Sequence, residues 1–357
     1  MTHILIAGDH FVTPELFRTA LERELEDRPV TFTETTLPWP HEPFADVGSV
    51  REASGSVAGA IEALAGAEVA VTQMAPLPAE VFDASPELRL VGVCRGGPVN
   101  VDLEAATAAG VLVTFAPGRN AQAAAEFTVG LVLAAARKIV HADAELKGGS
   151  WRGDYYALDQ VGLELAGTTV GLVGYGAIGR IVGRVLQAFD AQVLAYDPYA
   201  DAAALAADGV EPTGLDDLLR RSMVVSLHAR LTRETEHLID ARALELLPAG
   251  AVLVNAARGG LLDYAPLPEM LRSGRLGGLA LDVYDVEPPP PDWPLFSAPN
   301  VVVSPHLGGA TRQTAVRAAD IVARDVADFL AGRVPAHVAN PDVLERLALQ
   351  PRERSQA

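Results

Sequence analysis

The chain of 357 residues holds a single cysteine, Cys94. One thiol excludes an intramolecular disulfide framework and a multi-cysteine metal site, and it suits a reducing compartment. A cytoplasmic protein is therefore expected, with no metal. Lysine is nearly missing, since Lys138 and Lys147 are the only two. With a formal net charge of -18, the chain lacks the clustered cations that neutralise phosphate backbones, so nucleic acid is not an expected partner. Apolar runs of roughly 18 or more uncharged residues are also missing. The best candidate, "FTVGLVLAAA", is soon followed by Arg137 and Lys138, so no membrane partner is expected. The opening "MTHILIAGDH" has no basic segment and meets Asp9 after a short run; it reads as a buried first strand rather than a signal peptide.

What the chain does have is aliphatic material, 49% apolar residues, enough for two buried cores at this length. Short runs recur at the spacing of βα units: "HILIAG", "VTFTET", "EVAVTQ", "LRLVGV" and "VLVTFA". Amphipathic segments separate most of them, as in a doubly wound α/β layer. The stretch 37–57 breaks this rhythm with prolines and reads as an excursion at the edge. Residues 120–146 predict one long helix with Asn120 as its N-cap and Gly148-Gly149 as its stop. A second series follows: "TTVGLVG", "QVLAYD", "MVVSLH", "AVLVNAA", "GLALDVY" and "NVVVSPH". These near-continuous apolar runs predict strands covered on both faces. A further helix is predicted over 311–331, and the last seventeen residues, 341–357, read as a frayed tail.

"VGLVGYGAIGR" sets Gly174, Gly176 and Gly179 in the spacing G-x-G-x-x-G, after a strand and before a helix. The first glycine permits the tight turn, the second lets backbone approach a pyrophosphate, and the third lets helix and strand pack closely. Asp197 ends the next strand, where a carboxylate can accept from ribose hydroxyls; no arginine follows it, which favours NAD over NADP. Ligands of open parallel sheets lie beyond the carboxyl ends of the strands. In the second series those ends carry His228, Arg258, Asp282, Glu287 and His306. A guanidinium at Arg258 can pair with a carboxylate and polarise a carbonyl. The imidazole of His306 can give or take a proton near neutrality, with Glu287 as the candidate to orient it. A lone histidine is more often structural than catalytic, but three such groups at successive strand ends shift that balance.

Taken together, "GPVNVDLEAATAAGV", "GRNAQAAAEFTVGLVLAAAR", "ELAGTTVGLVGYGAIGR", "SLHARLTRETEHLI", "NAARGGLLD", "LDVYDVEP" and "PHLGGAT" resemble the NAD-dependent D-isomer-specific 2-hydroxyacid dehydrogenases. This family includes D-3-phosphoglycerate dehydrogenase and glyoxylate/hydroxypyruvate reductases. The resemblance implies two doubly wound parallel-sheet domains: a flavodoxin-like substrate domain with an inserted Rossmann NAD domain. The substrate domain would comprise 1–116 and 308–340, the NAD domain 117–307. It further implies Arg258 as substrate binder and polariser, Glu287 as tuner of His306, and His306 as acid/base. Asp282 would accept from the nicotinamide carboxamide, and Ala177 and Ile178 would offer backbone to the pyrophosphate. His228, Ala256 and Gly308 would line the cofactor. A homodimer, a small anionic substrate and a short form without a regulatory domain are the remaining expectations.

The loop "CRGGPVN" departs from the family's pattern, because Arg95 replaces its first glycine. By resemblance its amides hold the substrate carboxylate, a role that falls to Gly96 and Gly97, with Asn120 counted on the same side. Arg95 either adds a cation to that pocket or braces the loop. "VTQMAPLP" lacks the basic residue several family members carry, Arg230 stands where proline is usual, and Tyr264 stands where an acid is frequent. An unusual substrate is expected from these departures. A non-catalytic NAD-sensing, corepressor-like protein and a dehydrogenase of another anion such as phosphite remain alternatives. Formate is disfavoured by Glu287, where the formate enzymes have glutamine.

Overall fold

The computed structural model describes residues 1–351 except Asp27. The chain divides into two compact units, Met1–Asn120 with Ala310–Ala357, and Ala121–Gly309. The second is thus inserted into the first, with breaks at 120/121 and 309/310 where 116/117 and 307/308 were expected.

Among the described residues, seven strands belong to the first unit: β1 (Thr2–Gly8), β2 (Val30–Thr36), β3 (Ala45–Val47), β4 (Val50–Ala53), β5 (Val69–Thr72), β6 (Leu90–Val93) and β7 (Leu112–Phe115). Five of them form a parallel sheet in the order β2-β1-β5-β6-β7. Counted along the sheet's own strands this is 2-1-3-4-5, the flavodoxin-like order. β5 and β6 are buried along their whole length, because apolar helix faces cover both sides. On one face Phe17 and Leu21 of helix Pro14–Leu25, with Val322 and Phe329 of helix Arg312–Leu330, pack on Ile4, Ile6 and Val71. Leu64, Val81 and Phe82 cover Leu5, Val91 and Val93 on the other. The proline-rich excursion is an antiparallel hairpin, β3 with β4.

The second unit holds β8 (Thr169–Val173), β9 (Gln192–Tyr196), β10 (Glu211–Pro212), β11 (Val224–Leu227), β12 (Ala251–Asn255), β13 (Leu276–Leu281) and β14 (Val301–Val303). Their order is β10-β9-β8-β11-β12-β13-β14, all parallel. That is the dinucleotide-binding order with the chain reversing direction across the sheet between β8 and β11. Among the described residues no helix is long and apolar enough to cross a membrane.

Two expectations are corrected. The predicted helix over 120–146 is two helices, Ala121–Ala136 and Ile139–Lys147, separated by Lys138 in the left-handed region at φ 53°. The cause is tertiary. Leu163 donates its N–H to the Ala136 carbonyl at 2.9 Å, and the Lys138 ammonium donates to the Gln160 carbonyl at 2.7 Å. A returning segment therefore takes the acceptor that a continuing helix would use. The described part of the tail is docked rather than frayed: Pro341–Arg346 forms a helical turn with Val343 fully buried; residues 352–357 lie outside the described residues.

Asn340 anchors that turn. Its Oδ1 accepts from the Val113 amide at 2.8 Å, while Nδ2 donates to the Val111 carbonyl at 2.9 Å and Thr107 Oγ1 at 3.0 Å. Substituting Asn340→Ala strands a buried amide and carbonyl, at about 1–3 kcal/mol each. Urea unfolding of this variant should show a loss of about 2–4 kcal/mol; a midpoint equal to wild type would mean that water replaces the amide.

Candidate active site

The glycine-rich turn begins where β8 ends. Gly174 has φ 99°, and a Cβ there would lie 2.7 Å from the Ala229 nitrogen and the His228 carbonyl carbon; one on Gly179 would lie 2.4 Å from the Gly174 carbonyl oxygen. Backbone packing therefore dictates both glycines. Gly176 differs, since a Cβ there would meet nothing within 4 Å; its lack of a side chain leaves open space. Gly176 is also the N-cap of helix Ala177–Gln187 and supplies no side-chain acceptor, so the first amides, beginning with Ala177 and Ile178, are left for an anion. Asp197 follows β9 and spans the same turn: its carboxylate accepts from the amides of Tyr175 at 2.8 Å and Tyr199 at 2.9 Å. These features fit the phosphates and ribose of a dinucleotide. His228, at the end of β11, lies 3.0 Å from Ser226 Oγ, and burial lowers its pKa to about 4. It is a neutral group at neutral pH.

Three strand-end loops further along the sheet converge. His306 sits in a turn after β14 with φ 55°, and its Nδ1 lies 2.8 Å from Glu287 Oε2. Glu287 is itself held by the Tyr284 amide, which donates to Oε1 at 3.0 Å. The Glu287 hydrogen bond raises the His306 pKa above its ordinary value against the opposing effect of burial. Burial would lift the Glu287 carboxyl, but the hydrogen bond and charge of His306, with help from Arg258, bring it below its usual range. Nδ1 faces a carboxylate and so carries a proton, leaving Nε2 as the atom that can exchange one. Asp282, 1% exposed, shapes this turn: Ser304 Oγ, the Leu307 amide and the Gly308 amide all donate to its carboxylate at 2.7 Å.

Arg258 follows β12, and its exposed side chain donates to the Ala257 carbonyl at 2.7 Å. Its charge reaches both Glu287 and His306. Ala256 is half-buried just before it. The structure thus brings Arg258, Glu287, Asp282 and His306 together within the second unit.

Arg95, Gly96, Gly97 and Asn120 belong to the first unit. The Arg95 guanidinium, 15% exposed, is ion-paired to the Glu52 carboxylate and donates to the Glu52 carbonyl at 2.9 Å. A Cβ on Gly96 or Gly97 would meet nothing within 4 Å. Asn120 is half-buried directly before helix Ala121–Ala136. Cys94 is fully buried, and burial pushes its thiol up to about 12, so it stays protonated. Among the described residues no three potential ligands are grouped to hold a metal ion.

Residues 129–308 match the NAD binding domain of D-isomer specific 2-hydroxyacid dehydrogenase. A glyoxylate reductase of Korarchaeum cryptofilum is 38% identical over 76% of this chain and 81% of its own. The chain belongs to the D-isomer specific 2-hydroxyacid dehydrogenase family. A D-3-phosphoglycerate dehydrogenase of Mycobacterium leprae is 44% identical over 74% of this chain and 49% of its own length. The chain thus spans about half the length of the mycobacterial phosphoglycerate dehydrogenases it matches. A solved structure from Thermus thermophilus has 33% identity and a TM-score of 0.78, covering 95% of this chain and 100% of its own. NAD is the cofactor of the matched domain, and it is the cofactor that Gly174, Gly176, Gly179 and Asp197 pointed to.

Within this dehydrogenase family member, several supporting residues escaped sequence reasoning. Fully buried Asn255 accepts from the Ala257 amide at 3.1 Å and donates to the Arg258 carbonyl at 2.9 Å, fixing the arginine's backbone. Its signal was a polar residue ending the apolar run "AVLV". Tyr264 donates to the carbonyls of Gly259 and Val283 at 3.3 and 3.2 Å. The family departure at this position is therefore a brace. Tyr284 donates to the Ser304 carbonyl at 2.9 Å, and Trp293 lies between the two tyrosine rings, 5.5 Å from each. The bonds to Val283 and Ser304 join residues 19 and 20 positions apart, and periodicity carries no trace of them.

Gly259 shows how tightly the loops meet, because a Cβ there would fall 2.0 Å from the Tyr284 carbonyl oxygen. Backbone cannot move aside cheaply, so Gly259→Ala should lower stability by about 1–3 kcal/mol and separate Arg258 from Glu287. A crystal structure of the variant with the two loops unmoved would contradict this packing.

Proposed function

We propose that the protein is an NAD-dependent dehydrogenase of a small D-2-hydroxy acid, interconverting it with the 2-keto acid. The observation that carries this reading is the Glu287–His306 pair at 2.8 Å, with Nε2 free and Arg258 close enough for its charge to act on both. The glycine-rich turn Gly174–Gly179 and Asp197 would hold NAD, which when bound would supply a hydride acceptor for oxidation and, as NADH, a hydride donor for reduction. Every other step falls to the chain. His306 Nε2 takes the hydroxyl proton in oxidation or gives one to the carbonyl oxygen in reduction. Glu287 stabilises the imidazolium and fixes the ring through Nδ1. The Arg258 guanidinium pairs with the substrate carboxylate and polarises the carbonyl. Asp282 holds the turn that aims His306 and would accept from the nicotinamide carboxamide. In the first unit, the open amides at Gly96 and Gly97 are the proposed carboxylate cradle, with Asn120 beside the chain's exit. The contacts of Arg95 with Glu52 favour its role as a brace of that cradle.

We further infer a homodimer in the cytoplasm. Helix Ile139–Lys147 has no buried residue, and Leu146, Trp151, Tyr156 and Leu158 are 56%, 84%, 93% and 92% exposed. Such an apolar surface supports a second copy as its cover. The single buried thiol suits a reducing compartment.

The test is NADH oxidation with 2-keto acids bearing apolar, hydroxyl, carboxylate and phosphate tails. Turnover with at least one is expected. Its complete absence, with NADH still bound, would favour the NAD-sensing alternative instead. With the best substrate, His306→Asn should lower kcat by about two to four orders of magnitude while leaving NADH affinity near wild type; comparable activity would remove His306 from the chemistry.

The pH dependence has a defined sign. Reduction needs protonated His306, and Glu287 raises its pKa, so kcat/KM for reduction is full below the ordinary value of 6.5 and falls only as pH passes the raised value. The contribution of the pair to stability is present between the two groups' pKa values: it is lost as pH rises past the raised value of His306 and as pH falls through the lowered value of Glu287. In Glu287→Gln the midpoint of the reduction profile should move down toward 6.5; an unmoved midpoint would assign the profile to another group.

A further inference from the structure

Of the departures from the family's pattern in the second unit, Arg230 is exposed and Tyr264 is buried. The Tyr264 ring packs on Trp293, 5.5 Å away, and burial pushes its pKa up, so the hydroxyl stays protonated. That hydroxyl has a single hydrogen, shared between two carbonyls, Gly259 at 3.3 Å and Val283 at 3.2 Å. Gly259 directly follows Arg258, and Val283 directly precedes Tyr284, whose amide holds Glu287 Oε1 at 3.0 Å. Tyr284 continues the chain of contacts, since its own hydroxyl donates at 2.9 Å to the carbonyl of Ser304, just before the turn of His306. An ionised acid, the residue frequent at position 264 in the family, has no hydrogen to give to a carbonyl. The tyrosine therefore makes a bond that the usual residue does not.

The bond lies at a close-packed seam, where a Cβ on Gly259 would fall 2.0 Å from the Tyr284 carbonyl oxygen. Without the shared hydrogen, two carbonyl dipoles would meet there with nothing between them, which favours separation of the loops. The Arg258 charge is what such a separation would move. The Glu287 hydrogen bond and charge raise the His306 pKa and Asp282 raises it further, while burial and Arg258 lower it. Asp285 and Glu287 are the carboxylates that act on Tyr264 itself. Glu287 and Asp282 are each held by donors of their own. The Arg258 side chain is exposed and donates to the carbonyl of its neighbour Ala257, so its distance from the pair is governed by the loop that carries it.

We propose that Tyr264 is a positioning residue: its hydroxyl staples the loop that carries Arg258 to the loop that carries Glu287, and thereby fixes how near the Arg258 charge stands to the Glu287–His306 pair. The consequence for reduction of a keto acid rests on the dehydrogenase reading above; the effect on the titration of His306 does not.

The experiment compares wild type, Y264F, R258Q and the double variant. Phenylalanine keeps the ring on Trp293 and removes only the hydroxyl. Two readouts are taken: the pH profile of kcat/KM for reduction of the best keto acid, and the NMR titration of the His306 ring, recognised among the 8 histidines by its loss in H306N. In Y264F the midpoint moves up, because Arg258 lowers it in wild type; this is opposite in sign to the shift expected in Glu287→Gln. KM for the keto acid rises about three- to tenfold, and kcat on the low-pH plateau changes less. R258Q raises the midpoint as well, and adding Y264F to it moves the midpoint no further. A midpoint in Y264F equal to wild type overturns the proposal. An upward shift of the same size in the R258Q background also overturns it, since the hydroxyl would then act through another group. Should Y264F not fold, Y264M takes its place in both backgrounds, with the same expectations. If wild type reduces no keto acid, the dehydrogenase reading falls and the His306 titration alone decides: a midpoint raised by Y264F only when Arg258 is present upholds the positioning role, and any other pattern ends it.

Discussion

A carboxylate with almost no access to water, Asp282, carries much of the second unit's architecture at its working edge. It stands just past the end of β13 and accepts from Ser304 Oγ and from the amides of Leu307 and Gly308, all at 2.7 Å. A buried carboxylate is tolerable only when its oxygens are satisfied by donors in this way. The same three bonds determine the path of residues 304–308, and within that path His306 takes a left-handed conformation that a histidine adopts rarely. The ring then meets Glu287. Without the Asp282 contacts the backbone would have no reason to hold that conformation, and the imidazole would not be delivered to its carboxylate.

The other loops are held by contact rather than by charge. Tyr264 and Tyr284 reach from one loop to the carbonyls of the next, and Trp293 fills the space between their rings. Asn255 holds the Arg258 backbone from beneath. Rigid support of this kind lets an exposed arginine and a half-exposed histidine keep their positions.

In the first unit, two arginines at strand ends have opposite situations. Arg95 looked in the sequence like the added cation, because it replaces a glycine of the substrate loop. Its partner Glu52 lies in the hairpin formed by the proline-rich excursion, a segment with no periodicity to announce a role. Arg119 drew no attention, since it stands in a loop between a strand and a helix, yet it is the guanidinium left with buried, unpaired nitrogens. Which of two cations is neutralised depends on where a carboxylate arrives from elsewhere in the chain.

The order of elements, both parallel sheets, the dinucleotide turn and the residues at the strand ends could be read from the sequence. Each is written in local terms: apolar runs of strand length, glycines at fixed spacing, and polar residues that interrupt a buried run. His306, Glu287 and Arg258 were legible because a sheet of known direction assigns one end to ligands. Tertiary structure decided everything that depends on distant partners. The helix predicted over 120–146 ends at Ala136 because a segment some 27 residues downstream, at Leu163, takes its last carbonyl. The tail docks because Asn340 completes the hydrogen bonding of Val113 and Val111. Arg95 is paired with Glu52 and, among the described residues, Arg119 forms no ion pair for the same reason: a sequence states where the charges are along the chain, and only the folded backbone states which of them meet.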